Sequence, residues 1–181
     1  MSTGASRAPH IILVGLPGAG KTRCGSMLAR RLRRPFVDLD AEIERREQRA
    51  VREIFATGGE REFRRLESEV TRSLIAAPAS VISPGGGWIE DEENRALVRG
   101  VSWTVYLRVS AETAFRRMGP RRDRRPLLSG AEPLGSLRAI LERRESLYGL
   151  ADVELDTEVL SPKEVVNELI RLALRRWGPV G

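Results

Sequence analysis

The chain has 181 residues, 41% of them apolar and 31% charged, with 31 Lys plus Arg against 25 Asp plus Glu. This is the composition of one globular domain, and it excludes a disordered chain, a collagen-like repeat and a disulfide framework. A net charge of +6 favours anionic partners without choosing among nucleotides, nucleic acids and sugar phosphates.

Only Lys21 and Lys163 are lysines, so positive charge elsewhere is carried by arginine and each lysine asks for a reason. Cys24 and His10 are the sole residues of their types, which leaves no internal disulfide, no cysteine-cluster zinc site and little material for a histidine triad. No apolar run approaches the ~20 residues of a membrane span, and Met1 to Pro9 lacks an apolar leader. The expectation is a cytoplasmic protein with a flexible segment 1–9 and one domain over 10–177.

In chain order, His10 to Gly15 reads as a buried β-branched strand, followed by a helix from Thr22 to Leu32. Pro35 to Asp40 is a second strand and Ala41 to Arg49 a charged helix. Val51 to Thr57 forms a further helical segment stopped by Gly58 and Gly59, and Glu60 to Ala76 restarts it with Phe63, Leu66, Val70 and Leu74 on one face. Ser80 to Ser83 is a third strand, Glu90 to Arg99 a short helix, Ser102 to Val109 a fourth strand and Ala111 to Met118 another helix. The Arg-rich stretch 119–135, punctuated by Gly and Pro, has the character of a mobile lid. Leu137 to Tyr148 is a helix, Val153 to Asp156 a fifth strand and Pro162 to Trp177 the closing helix. Strands alternating with helices at this spacing predict an α/β fold with a parallel sheet covered on both faces. Ligands of such sheets sit at the carboxyl ends of the strands.

Gly15-Leu16-Pro17-Gly18-Ala19-Gly20-Lys21-Thr22 fits G-x-x-x-x-G-K-[ST] between a predicted strand and a predicted helix, the setting of a P-loop. There the backbone N–H groups of Gly18, Ala19, Gly20 and their neighbours, with the helix N-terminus, converge on phosphate oxygens. Lys21 then places an ammonium on the β and γ phosphates, and the Thr22 hydroxyl ligates Mg²⁺. Neither lysine follows an Asn in the Asn-Lys-x-Asp pattern of a GTPase, and the chain is short for a motor ATPase, which leaves a small kinase of metabolites, nucleosides or nucleotides.

Asp38 and Asp40 end the second predicted strand, and strand alternation points both to one face. One carboxylate serves Mg²⁺ and the other holds, and can deprotonate, an acceptor hydroxyl. Arg64 and Glu67 lie three apart on a helix, so the carboxylate can orient the guanidinium toward an anionic substrate. Gly85, Gly86 and Gly87 let the backbone approach a small ligand. With 5% aromatic residues and arginines spread over many helices, nucleic-acid binding is not expected.

The P-loop, the D-x-D, the run I-F-x-x-G-G-E-x-x-F-R-x-x-E (Ile54 to Glu67), the Gly triplet, R-P-L-L (Arg125 to Leu128) and R-x-x-x-Y (Arg144 to Tyr148) follow one another as in shikimate kinases. The chain resembles that family from about residue 10 to about residue 175. The resemblance implies a three-layer P-loop NTPase fold with a five-stranded parallel sheet and a mobile lid. It also implies ATP- and Mg²⁺-dependent phosphorylation of the shikimate 3-hydroxyl in aromatic amino acid (chorismate) biosynthesis, by a monomer.

By the same resemblance Lys21, Asp40 and Arg125 are catalytic, and Asp38 supports Mg²⁺ beside Thr22. Gly18, Ala19, Gly20, Lys21, Thr22, Arg23, Arg117, Arg125 and Pro162 hold ATP. Asp40, Arg64, Gly85, Gly86, Gly87 and Arg144 hold shikimate, and about 38–67 form a substrate-binding subdomain. The chain departs from the family in having Gln48 and Ala50 where a G-x-S-I run is usual, and its third strand ends without an Asp. A non-catalytic regulatory module and a kinase of another small hydroxy acid are the competing readings.

Overall fold

A computed structural model describes residues 9–119 and 132–177. Five strands, β1 (His10–Val14), β2 (Phe36–Asp38), β3 (Val81–Ser83), β4 (Ser102–Arg108) and β5 (Val153–Asp156), form one sheet in the order β2-β3-β1-β4-β5, and every pairing is parallel. Strand order reverses on either side of β1, which puts the loop after β1 at a topological switch point.

Alternation along β1 builds the layers. Ile11 and Leu13 point into one core with Leu28, Val105, Leu107, Val165 and Leu169, whereas Ile12 and Val14 point into a second with Leu39, Ile43, Phe63, Leu66 and Trp88. The first core is closed by α1 (Lys21–Arg31), α5 (Ala111–Met118), α6 (Pro133–Tyr148) and α7 (Pro162–Trp177). The second is closed by α2 (Leu39–Glu47), α3 (Val51–Ala76) and α4 (Glu92–Val98). No helix among the described residues is long and apolar enough to cross a membrane.

Three boundaries differ from the expectation. β2 stops at Asp38, because the Asp38 carboxylate accepts the Ala41 N–H and starts α2 two residues earlier than predicted. By contrast, the break expected at Gly58-Gly59 is observed: α3 consists of two helical arms that meet at a kink at Gly59. Gly59 takes φ 70°, ψ −174°, a conformation open almost only to glycine, and the tilted rings of Phe55 and Phe63, with centroids 4.8 Å apart, fasten the two arms of the bend.

The helix expected from Glu90 is instead a 3-10 turn, Trp88–Glu90, followed by α4. Asp91 caps α4 by accepting the N–H groups of Glu93 and Asn94. Finally, α6 begins at Pro133 and not at Leu137, since Pro133 needs no N–H partner in a first helical turn, so 133–135 of the expected lid stretch are helical. The rest of the expected lid, 120–131, with Arg125, lies outside the described residues.

At the unusual Gln48 and Ala50, Gln48 ends α2 with φ 53°, and the Glu53 carboxylate accepts the Ala50 N–H at 3.0 Å. The start of α3 is thus held by a side chain reaching back from its first turn. Many arginines pair with glutamates three or four residues away, as in Arg45–Glu42, Arg65–Glu62 and Arg171–Glu168. Exposed pairs of this kind add little to helix stability, so these are solvated helix faces and not a continuous basic surface.

Candidate active site

The loop between β1 and α1 wraps the carboxyl end of the sheet. Gly18 adopts φ +87°, and a methyl group there would stand 2.4 Å from the Ala114 carbonyl oxygen, so conformation and close packing both require glycine. Lys21 opens α1 and folds back, its ammonium donating to the carbonyls of Gly15 at 2.9 Å and Leu16 at 3.1 Å. The next residue, Thr22, donates its hydroxyl to Asp38 Oδ2 at 3.2 Å and so joins the P-loop to the end of β2.

A cavity of about 530 Å³ opens over this loop. One wall holds Gly18, Ala19, Gly20, Lys21, Thr22 and Arg23, and the floor toward β2 and β3 holds Asp38, Asp40, Ser83, Gly85 and Gly86. The far wall is Arg117, Met118, Thr157, Leu160 and Pro162, the last at the start of α7. Arg117 is held there by donating to Thr157 Oγ1 at 3.0 Å and to the Thr157 carbonyl at 2.6 Å. Cys24 also borders the cavity, but burial pushes its thiol up to about 11, which leaves it protonated and unreactive at neutral pH.

Each glycine of the triplet faces a charged side chain, Gly85 two of them, since Glu67 Oε1 would lie 3.3 Å from a methyl group there. A methyl group on Gly85 would lie 2.8 Å from Asp40 Oδ1, one on Gly86 would lie 3.1 Å from Arg144 Nη1, and one on Gly87 would lie 2.2 Å from Arg64 Nη2. The absence of side chains at these three positions is therefore what lets Asp40, Arg144 and Arg64 converge on a single loop. Asp40 reaches it from the first turn of α2 and not from a strand end, which corrects the alternation argument. Asp38 and Asp40 still border the same cavity, one as the cap of the helix and the other two residues into it.

Arg64 donates to Glu67 and to Glu60, the latter at 3.1 Å. Glu67 is wholly buried, and that burial pushes its carboxyl up to about 7 against the opposing pull of Arg64, with Asp40 and Asp91 adding to the rise. Arg144, 1% exposed, reaches the loop from α6 and donates to Glu90 Oε2 at 2.9 Å. Gly87, Arg64 and Arg144 stand behind the loop and do not line the cavity itself. Glu90 and the Thr157–Leu160 wall carry no motif and were not anticipated from the sequence, whereas the Arg64–Glu67 spacing was.

A P-loop at the switch point of a parallel sheet, opening on a cavity with two aspartates and backed by two arginines, defines a small P-loop kinase. A family profile described as shikimate kinase matches residues 17–173. The chain belongs to the shikimate kinase family. It is 44% identical over 163 residues to a shikimate kinase of Symbiobacterium thermophilum, covering 89% of this chain and 94% of that protein. A shikimate kinase of Mycobacterium avium is 42% identical over 164 residues, covering 90% and 92% of the two chains. Among solved structures, a shikimate kinase from Acinetobacter baumannii in complex with shikimate superimposes with a TM-score of 0.87 at 35% identity, over 93% of this chain and 94% of that one.

Proposed function

We infer that this chain transfers the γ-phosphoryl group of ATP to the 3-hydroxyl of shikimate, giving ADP and shikimate 3-phosphate. The single observation that carries the reading is the convergence of Asp40, Arg144 and Arg64 on Gly85 to Gly87, beside the P-loop of the same cavity. An acceptor bearing both a carboxylate and vicinal hydroxyls matches that set: guanidiniums for the carboxylate, a carboxylate for the hydroxyls, and a bare backbone for the ring. Family membership supports it independently. Every reactive position among the described residues is filled, so neither a non-catalytic module nor a kinase of another hydroxy acid is favoured.

In this reading Gly18, Ala19, Gly20 and Arg23 cradle the phosphates of ATP, and the base lies toward Arg117 and Pro162. Lys21 leaves the Gly15 and Leu16 carbonyls for the transferring phosphoryl group, where its charge stabilises the transition state. The acceptor oxygen forms a bond to the γ-phosphorus as the bond to the β–γ bridging oxygen breaks. Asp40 takes the hydroxyl proton.

Thr22 Oγ1 and Asp38 Oδ2 are hard oxygen donors already within 3.2 Å of each other, a pair that fits Mg²⁺. When bound, the ion neutralises phosphate charge. Arg64 and Arg144 anchor the acceptor carboxylate, fixing its hydroxyl in line. Arg125 completes the resemblance as the residue that would close over the phosphates.

The test is ADP release from the purified chain with Mg²⁺ and ATP, with and without shikimate, and with quinate and gluconate as controls. Turnover with shikimate alone is expected. Turnover with quinate or gluconate in its place would reassign the acceptor.

A further inference from the structure

Arg144 presents five N–H donors, yet it is 1% exposed, and its Nε has no hydrogen-bond partner among the described residues. The carboxylate that meets its guanidinium is Glu90, whose Oε2 accepts Nη2 at 2.9 Å. The other oxygen of Glu90 accepts Arg143 Nε at 2.5 Å. Arg143 and Arg144 are neighbours on α6 and diverge by about 100° around its axis. One carboxylate nevertheless reaches both, one oxygen to each.

Glu90 is well placed to do so, because its backbone is fixed. It closes the 3-10 turn that begins at Trp88, directly after the glycine triplet. Trp88 is buried and donates its indole N–H to Thr71 Oγ1 at 3.0 Å, while Arg95 donates to the Ile89 carbonyl at 2.6 Å. The turn is thus tied to α3 and α4, and Glu90 extends from it to α6. Two guanidiniums sharing one carboxylate leave a net positive charge, whereas Glu90 paired with Arg144 alone would cancel it. Arg143, mostly exposed, supplies that balance without touching the cavity.

We propose that Glu90 is a positioning residue for Arg144, holding its Nη1 against Gly86, and that Arg143 keeps the cluster cationic toward the acceptor carboxylate. This rests on the proposed seat of that carboxylate at Arg144. Nothing in the linear motifs marks Glu90 or Arg143; the assignment comes from the shared carboxylate and the buried arginine beside it.

The experiment compares E90A, E90Q, R143M and R144A in the full chain by steady-state kinetics with both substrates. Loss of Glu90 in E90A raises KM for shikimate on the order of tenfold or more, with KM for ATP and kcat within about twofold of the parent. A glutamine oxygen can keep Arg144 but not both arginines, so E90Q falls between. R143M raises KM for shikimate about threefold at low salt, and this difference fades above about 0.3 M salt, as expected of an exposed charge acting at a distance. If E90A does not fold, E90Q decides: an unchanged KM for shikimate overturns the proposal. So does an E90A enzyme in which both KM values and kcat deteriorate together. If R144A raises KM for shikimate and E90A and E90Q do not, the positioning role fails and the seat survives. If R144A leaves that KM unchanged, the seat itself is wrong and the proposal goes with it.

Discussion

The Thr22 hydroxyl donates to Asp38 Oδ2 across 3.2 Å, so the first turn of α1 and the end of β2 are joined by the two oxygens best suited to a divalent cation. Asp38 at the same time caps α2 through the Ala41 N–H. Asparagine can keep the cap but not the charge, which separates the two roles. Asp38→Asn is expected to lower kcat on the order of a hundredfold and to raise the Mg²⁺ concentration for half-maximal activity, with thermal stability little changed. A Mg²⁺ titration of activity alongside a melting curve checks it, and an unaltered Mg²⁺ requirement would remove Asp38 from the metal site.

Gly87→Ala places a methyl group 2.2 Å from Arg64 Nη2, and the atom it meets is the end of a flexible side chain. The arginine moves and the backbone stays. KM for shikimate should rise about tenfold while KM for ATP and the melting temperature hold. Gly18→Ala is the contrast, since its methyl group would meet the Ala114 carbonyl at 2.4 Å from a φ of +87°. That substitution should cost fold stability as well as ATP binding, and a melting temperature equal to the parent's would contradict the packing argument.

Much of the fold was legible because its signals are local. The β-branched run of β1 feeds two cores by alternation, and glycines mark where strands give way to loops. Asp38 was harder to read, because one residue both ends a strand and caps a helix, and a D-x-D looks the same whether Asp40 continues the strand or turns into the helix. Gly58 and Gly59 read as a stop, and helical geometry does break at Gly59, while the Phe55 and Phe63 rings hold the two arms together across the break. Of the site, the P-loop and the glycine triplet announce themselves by spacing. The grip of Glu90 on Arg144 joins residues far apart in sequence, and no periodicity encodes it.

Glu67 makes stability depend on pH. Its carboxyl is raised from 4.5 to about 7 by burial, so between those values the folded chain binds a proton that the unfolded chain has released. The stabilising contribution is full below pH 4.5 and is lost as pH rises through about 7, a swing of about 3 kcal/mol at most. Glu67→Gln cannot lose that proton. Denaturant unfolding of both chains at pH 5 and pH 8 should show the parent losing stability relative to Glu67→Gln on going to pH 8. Parallel pH profiles would place the Glu67 pKa near its ordinary value.

Lys21→Met is expected to lower kcat by at least about 10³-fold, because charge at the transferring phosphoryl group dominates this chemistry. Shikimate binding followed by calorimetry should persist, since Lys21 lies on the P-loop wall away from Arg64 and Arg144. Near-normal turnover would refute the assignment.

The same lysine has a use outside catalysis. Its ammonium lies folded against the Gly15 and Leu16 carbonyls, and the only other side-chain amine in the chain is Lys163, at the start of α7. To an acylating reagent the protein is therefore almost featureless, apart from its amino terminus, one P-loop address and one internal reference on a helix surface. The ratio of label at these two lysines, read by mass, would report nucleotide occupancy of the loop directly, with no coupled assay and no labelled substrate.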